Sequence, residues 1–274
     1  MTIPLNGTLV LLGAGKMGGA MLEGWLRAGV NASQIVALDP QPPAEVQALL
    51  RKHGVRHNPP LSEVSNVEVL LAAVKPQVMD DVLRSVMPFA ASKPLILSIA
   101  AGKTIASFAR HFGEDAAIIR TIPNTPAAIG RGITAMTANR NVTQAQLHLA
   151  ERLLASIGEV VTVADEELID AATAVSGSGP AYVFYLTECL AAAAVEVGLP
   201  PDIAVKLARA TVAGAGELMR HSGIDAETLR QNVTSPNGTT HAALQVLMAE
   251  NGMKPLMKNA IAAATRRSKE LASS

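Results

Sequence analysis

Thr8-Leu-Val-Leu-Leu-Gly13-Ala-Gly15-Lys-Met-Gly18 is the stretch on which the fold of this chain turns. A short apolar run ends in a G-x-G-x-x-G pattern, and a helix-like segment follows (Ala20-Met-Leu-Glu-Gly-Trp-Leu-Arg27). Strand, tight turn and helix in that order form the context that a dinucleotide-binding fingerprint requires. Gly13 permits the turn. Gly15 lets the backbone approach a pyrophosphate with no Cβ in the way, and Gly18 lets the helix pack close to the strand. The helix N-terminus then offers unpaired N–H groups and a partial positive charge to the phosphates.

The pattern around the turn repeats. Apolar runs at Leu9–Leu12, Ile35–Leu38, Val67–Val74, Leu95–Ile99 and Ala117–Thr121 alternate with helix-like segments at Met17–Ala28, Ala44–His53, Val78–Phe89 and Ile105–His111. Alternation of this kind predicts an α/β domain, a mostly parallel sheet with helices on both faces. Runs at Ile133–Thr137 and Glu159–Val163 flank a helical stretch at Gln144–Ser156 and extend the sheet at one edge. From about Ala164 strand runs cease. Ala/Leu-rich stretches follow at Ala181–Val197, Ile203–Arg220, His241–Glu250 and Pro255–Leu271, with Pro180 suited to a first turn and Asp202 to an N-cap. The chain therefore divides into residues 1–163, an α/β dinucleotide-binding domain, and 164–274, an all-α domain. Its 274 residues suit two domains of about 150 each.

Composition narrows the function. Lys+Arg and Asp+Glu are 23 each, so no basic excess points to nucleic acid or an anionic membrane. The one cysteine, Cys189, excludes an internal disulfide and a Cys-rich metal site, and its apolar setting predicts a buried packing residue. No metal is expected. No secretory signal pattern opens the chain, so a cytoplasmic protein is expected. Ala181–Val197 holds Glu188 and Glu196 and is short for a bilayer, so no membrane span is expected. Hydrophobic residues make up 49% of the chain and aromatics 3%. The second-domain helix with Leu186, Leu190, Ala191, Ala194, Val195 and Val197 is apolar nearly all round and must be buried. A domain of this size cannot cover it alone, which predicts a homodimer through these helices.

Candidate site residues follow from the strand ends. Asp39 closes the second strand about 20 residues after Gly18, where a carboxylate accepts from an adenosine ribose and repels a 2′-phosphate. That favours NADH over NADPH, since no Arg or Lys follows before Arg51. Lys75 in Ala73-Val-Lys75-Pro-Gln77 can neutralise phosphate. Ala100 and Ala101 are small enough for a nicotinamide ring, and Pro123 and Asn124 stiffen a loop and offer an amide. In the second domain, Val175-Ser-Gly-Ser-Gly-Pro180 and Ser235-Pro-Asn-Gly-Thr-Thr240 each lead into a helix, and N–H and hydroxyl groups there suit a small carboxylate. A Ser-His-Asp arrangement, H-E-x-x-H and a P-loop are all missing. His241 reads as a helix-surface histidine.

These motifs together resemble the Δ1-pyrroline-5-carboxylate reductase family over nearly the whole chain. The resemblance rests on Gly13-x-Gly15-x-Met17-Gly18, Ala73-Val-Lys75-Pro76, Ser98-Ile-Ala-Ala-Gly102, Arg120-x-x-Pro123-Asn124-Thr-Pro126, Ser176-Gly-Ser-Gly-Pro-Ala-Tyr182 and Ser235-Pro-x-Gly-Thr-Thr240. It implies a Rossmann domain followed by an all-α dimerisation domain, and a homodimer that can build a ring of dimers such as a decamer. It also implies NADPH or NADH as hydride donor to a small cyclic imino acid, the last step of proline synthesis. By resemblance, Leu12, Gly13, Ala14, Gly15, Lys16 and Met17 meet the pyrophosphate, and Asp39 and Asn58 the adenosine side. Ala73, Val74, Lys75, Ile99, Ala100 and Ala101 meet the ribose and nicotinamide. Asn232 matches a position near the nicotinamide, and Glu166, Ser235, Gly238, Thr239 and Thr240 match the substrate positions, with Thr240 the candidate partner of the ring nitrogen. The usual Gly-Gly of the last motif is Asn237-Gly238 here, so Asn237 is expected at positive φ. Rival readings are a 3-hydroxyacid dehydrogenase or imine reductase using Lys206, a nucleotide-sensing regulator without turnover, and a methyltransferase sharing only the glycine turn.

Overall fold

The computed structural model describes residues 3–273. They form two compact units, one running to Gly177 and taking in the chain again from Ala264, the other Ser178–Ala263.

The first unit is built on an eight-stranded sheet: β1 (Thr8–Leu12), β2 (Ile35–Leu38), β3 (Arg56–His57), β4 (Val67–Ala72), β5 (Leu95–Ser98), β6 (Ile118–Ile122), β7 (Gly132–Ala138) and β8 (Gly158–Thr162). Their order is β3-β2-β1-β4-β5-β6-β7-β8, parallel throughout except for the antiparallel β6–β7 pair. Order reverses between β1 and β4, the switch point where open α/β sheets bind ligands beyond their carboxyl ends. Strand side chains alternate between two cores. Leu9 and Leu11 pack with α1 (Lys16–Arg27), α2 (Ala44–His53) and α5 (Gln144–Ala155) through Trp25, Leu50 and Leu153. Val10 and Leu12 pack on the other face with α3 (Met79–Ser85) and α4 (Ile105–Phe112) through Met79 and Phe108. Burial on both faces is why β1 is continuously apolar from Leu9 to Leu12 and not alternating. α6 (Leu168–Ala172) leads into a π-helical turn, Thr173–Gly177.

The second unit holds α7 (Gly179–Glu196), α8 (Pro201–Ser222), α9 (Ala226–Asn232), α10 (Thr239–Leu247) and the first half of α11 (Met253–Ser273). α7 packs along α8. No residue of α7 is buried in the single chain: Phe184 is 61% exposed and Val197, just beyond the helix, 83%. The burial expected of this helix is therefore absent in one copy, and Cys189, expected in a core, is exposed.

Other expectations need correction. The stretch Val78–Phe89 is not one helix. α3 ends at Ser85 and a 3₁₀ segment, Met87–Ser92, takes over, because Pro88 cannot donate into an α-helix and clashes with the preceding turn. Asp202 does not cap α8. Pro200 holds that place, with Asp202 inside the first turn, where its charge still favours the helix dipole. Val175–Pro180 is not an open loop. Its first half is the π-helical turn, whose N–H groups are directed at carbonyls five residues back and away from any anion. β3 and α9 are too short for periodicity to reveal them, although Asp225 caps α9 through Thr228 N at 2.9 Å.

Candidate functional site

The carboxyl ends of the strands carry the predicted residues in spatial sequence. Asp39 and Asn58 follow β2 and β3, the glycine turn follows β1, Ala73–Lys75 follow β4, Ile99–Ala101 follow β5, and Pro123 and Asn124 follow β6. A cleft of about 750 Å³ opens at the first part of this row, lined by Leu12, Gly13, Gly15, Asp39, Asn58, Ala73, Val74 and Lys75 among others. A second hollow, of about 430 Å³, lies at the opposite, amino ends of the strands beside Gly7, Val67 and Arg152, away from every predicted residue.

The three glycines of the turn have three different settings. Gly13 has φ +86°, and its N–H donates to Leu38 O at 2.9 Å. A Cβ on Gly18 would stand 2.2 Å from the Gly13 carbonyl oxygen, so helix and turn touch there. A Cβ on Gly15 would meet nothing within 4 Å. α1 has no side-chain cap and no acid in its first turn, and its first internal bond is Gly19 N to Gly15 O at 2.7 Å. The amides of Lys16, Met17 and Gly18 therefore precede the helical ladder and are available to an anion. An open face at Gly15 in front of uncapped amides fits a dinucleotide pyrophosphate.

Asp39 does more than end β2. Its Oδ2 accepts from Ala14 N at 2.6 Å and its Oδ1 from Gln41 N at 2.8 Å. Ala14's amide is thus already committed, which removes one of the donors assigned to the pyrophosphate. Asn58 (φ +47°) clasps the Asp39 backbone, accepting from its N–H at 2.9 Å and donating to its carbonyl at 2.8 Å. Lys75, exposed, is the one cation of the cleft lining.

Further along the row, Ala100 is buried and Ala101 exposed. The segment just beyond is pinned. Lys103 Nζ and His111 Nε2 each lie 3.1 Å from an Asp80 carboxylate oxygen. Those two bonds, His111 first, hold the Asp80 carboxyl below its usual range. Asn124 turns inward: its carbonyl accepts from Ile133 N at 2.9 Å and its amide donates to Ser176 O at 3.1 Å. It braces the loop and does not present a free amide group, contrary to expectation.

Glu166 lies just before α6. Its Oε1 accepts from Ile105 N at 2.8 Å and from Arg120 Nη1 at 2.9 Å. Arg120 is only 3% exposed and also reaches Asp170 Oδ1 at 3.5 Å, and Ser268 Oγ donates to the same oxygen at 2.6 Å. Arg120 opens one of the motifs quoted above but has no role assigned from the sequence, and Asp170 and Ser268 are not singled out there at all. An arginine inside the apolar run Ile118–Ile122 was the available signal, because a buried guanidinium demands carboxylates.

In the second unit, Asn232 ends α9, and Ser235 and Gly238 form the turn into α10, whose first residues are Thr239 and Thr240. Gly238 N donates to Ser235 O at 3.1 Å. Asn237 has φ +58°, the conformation expected where the motif has its first glycine. Gly238 caps α10 without a side-chain bond, and the ladder starts at Ala242 N to Gly238 O, 3.1 Å. Amides and two threonine hydroxyls thus gather at an uncapped helix start. His241 pairs with Gln245 on the helix surface, and Lys206 lies in the second turn of α8. Among the described residues no cluster of three metal-ligating side chains occurs, and no helix is long and apolar enough to cross a membrane.

Comparison with known proteins agrees with this geometry. Residues 166–271 match the family described as pyrroline-5-carboxylate reductase dimerisation, and residues 8–102 match the NADP oxidoreductase family described as coenzyme F420-dependent. The pyrroline-5-carboxylate reductase of Synechocystis is 42% identical over 264 residues (96% of this chain, 97% of that one), and that of Pseudomonas aeruginosa is 38% identical over 266 residues (96% of each). The solved pyrroline-5-carboxylate reductase of Coxiella burnetii superposes with a TM-score of 0.90 at 32% identity, over 97% of this chain and 99% of that one. The Plasmodium falciparum pyrroline carboxylate reductase, solved with NADP bound, superposes with a TM-score of 0.81 at 28% identity, over 97% of this chain and 98% of that one. With its N-terminal Rossmann unit and C-terminal helical unit, this chain belongs to the pyrroline-5-carboxylate reductase family of NAD(P)-dependent oxidoreductases.

Proposed function

We propose that this protein reduces the cyclic imine 1-pyrroline-5-carboxylate to L-proline. The observation that carries the reading is the pairing, in one chain, of an open glycine turn with an uncapped, hydroxyl-rich helix start at Ser235–Thr240. Residues 1–163 serve the dinucleotide and 164–274 the substrate and subunit contacts; the family match that begins at residue 166 supports this division of roles, although residues up to 177 and again from 264 pack with the first unit. Leu12–Met17 hold the pyrophosphate, the Ala14 amide excepted. Asp39 and Asn58 line the adenosine end, and Ala73–Lys75 and Ile99–Ala101 the ribose and nicotinamide end, with Pro123 and Asn124 fixing the adjacent loop and Asn232 near the nicotinamide. A reduced nicotinamide supplies the hydride when bound. The chain's own groups bind and orient the imine. The amides and hydroxyls of Ser235, Gly238, Thr239 and Thr240 take its carboxylate, Glu166 faces its ring nitrogen as an acceptor, and Thr240 hydrogen-bonds that nitrogen. A protonated imine is already a strong electrophile, so the site needs positioning more than a strong acid or base.

Thr240→Ala is expected to lose roughly 10- to 100-fold in kcat/KM for the imine, about 1.4–2.7 kcal/mol of transition-state stabilisation. Unchanged kinetics would remove Thr240 from the mechanism. For the cofactor, Asp39 sets a carboxylate at the adenosine end with Lys75 the one cation of the lining, so NADH is expected to be preferred over NADPH. Initial rates with pyrroline-5-carboxylate and each cofactor test reaction and preference together. A strong NADPH preference overturns the role given to Asp39, and stoichiometric NADH binding without turnover overturns the activity. The exposed apolar residues of α7 support a homodimer formed through the helical unit; a ring of such dimers and a cytoplasmic location are part of the same proposal.

A further inference from the structure

We infer that Arg120 is the positioning residue of the substrate site: it holds one oxygen of Glu166 so that the other is presented to the substrate ring nitrogen, and Ser268 on the C-terminal helix holds Arg120's second carboxylate partner. The inference rests on the reading of Glu166 as a substrate contact. Arg120 Nη1 and Ile105 N both donate to the same atom, Glu166 Oε1, at 2.9 and 2.8 Å. Among the described residues no donor meets Oε2, and the Glu166 side chain keeps 30% of its surface open. An ionised carboxylate only accepts, so an oxygen left open beside two fixed donors is matched to an N–H, the group that a protonated imine carries.

The guanidinium is itself fixed from behind. Asp170 Oδ1, at 3.5 Å from Nη2, takes the Ser268 hydroxyl at 2.6 Å, and both residues are buried. Asp170 stands one helical turn beyond Glu166, so a single planar guanidinium spans both carboxylates from β6. Ile105 opens α4, shortly after Ile99–Ala101, so Glu166 is also tied to the segment assigned to the nicotinamide. The end of α11 touches that segment as well: a Cβ on Gly102 would stand 2.9 Å from Leu271 O. One buried ion cluster thus joins β6, the start of α4, α6 and the last turns of α11.

Kinetics of Arg120→Lys, Glu166→Gln and the double variant test the proposal, with folding checked by circular dichroism. Arg120→Lys keeps the charge but loses the fork. It is expected to lose roughly 10- to 100-fold in kcat/KM for the imine while KM for NADH stays within about twofold. The double variant is expected to lose no more than Glu166→Gln alone, since the two act as one unit. Wild-type kcat/KM in Arg120→Lys, or losses that multiply in the double variant, would overturn the proposal. Ser268→Ala deletes one hydroxyl and no charge, and keeps the test alive if the lysine variant does not fold. It is expected to raise KM for the imine roughly 3- to 10-fold, and to add nothing on a Glu166→Gln background. An unchanged KM in Ser268→Ala overturns the part given to the C-terminal helix. Failure of the wild-type protein to reduce pyrroline-5-carboxylate is a failure of the functional reading itself, and it shows before any variant is made.

Discussion

Gly15→Val is expected to abolish useful cofactor binding while leaving the protein folded. Gly15 has φ −69° and ψ −162°, extended backbone that any residue adopts, and a Cβ there meets nothing within 4 Å. The folded chain therefore accommodates valine. The cost is limited to a poorer N-cap residue, about 1 kcal/mol, or roughly 2–4 °C in Tm for a protein of this size. The same empty volume lies in front of the amides of Lys16, Met17 and Gly18. Two γ-methyl groups placed there keep phosphate oxygens out of hydrogen-bonding range of those amides. Loss of two or more charge-assisted hydrogen bonds raises the NADH Kd by more than about 100-fold. Nicotinamide fluorescence titration reads the affinity, and melting with and without NADH reads it again, because a ligand that no longer binds no longer raises Tm. A Kd within threefold of wild type would show that the dinucleotide does not lie on this turn.

What could be read from the sequence follows a physical division. The glycine turn was legible because its demands are local: one backbone needs positive φ, one needs an open face, one needs closeness to a carbonyl, and no side chain but hydrogen satisfies them. Asn237 was legible for the same reason, and its φ of +58° bears this out. The strands were legible because burial on both faces leaves an apolar run that nothing else in a short segment mimics. In Val78–Phe89 the apolar period runs on past Ser85, but the N–H that Pro88 lacks ends the α-helix there. Val175–Pro180 could not be read locally. Its Ser/Gly composition suits a loop, but Gly177 packs near Ile122, and Ser176's carbonyl takes Asn124's amide, so tertiary partners hold the segment helical. The inward turn of Asn124 and the bond from Ala14 to Asp39 depend on where side chains point, which residue type and spacing do not specify. The apolar surface of α7 was legible as a demand for burial, but a single copy of the chain leaves that demand unmet.

Gly18→Ala is expected to be the most damaging single-methyl change in the nucleotide-binding unit's first helix. The added Cβ would stand 2.2 Å from the carbonyl oxygen of Gly13, a backbone atom, and 3.2 Å from its carbon. Gly13 cannot retreat: its φ of +86° is set by the turn, its N–H is bonded to Leu38 O, and its own Cα faces Ala73 and Val74 so closely that a Cβ there would lie 2.8 Å from Val74 Cγ1. Relief must come from lifting α1 off β1, which strips Met21, Leu22 and Trp25 from a core where all three are fully buried. Alanine returns about 1 kcal/mol of helix propensity, and the clash outweighs it, for a net loss of about 2–4 kcal/mol. That corresponds to a fall of roughly 5–15 °C in Tm. Gly19→Ala is the internal comparison. Its Cβ also lies too close to a neighbour, 2.5 Å, but that neighbour is a Val46 methyl, which can rotate or shift. Helix, substitution and propensity gain are the same in both variants, so a clearly smaller loss at Gly19 isolates the rigid carbonyl as the cause. Equal melting temperatures for the two variants would mean that α1 and the turn do not meet as described, and the phosphate-facing geometry of Gly15–Gly18 would fall with them.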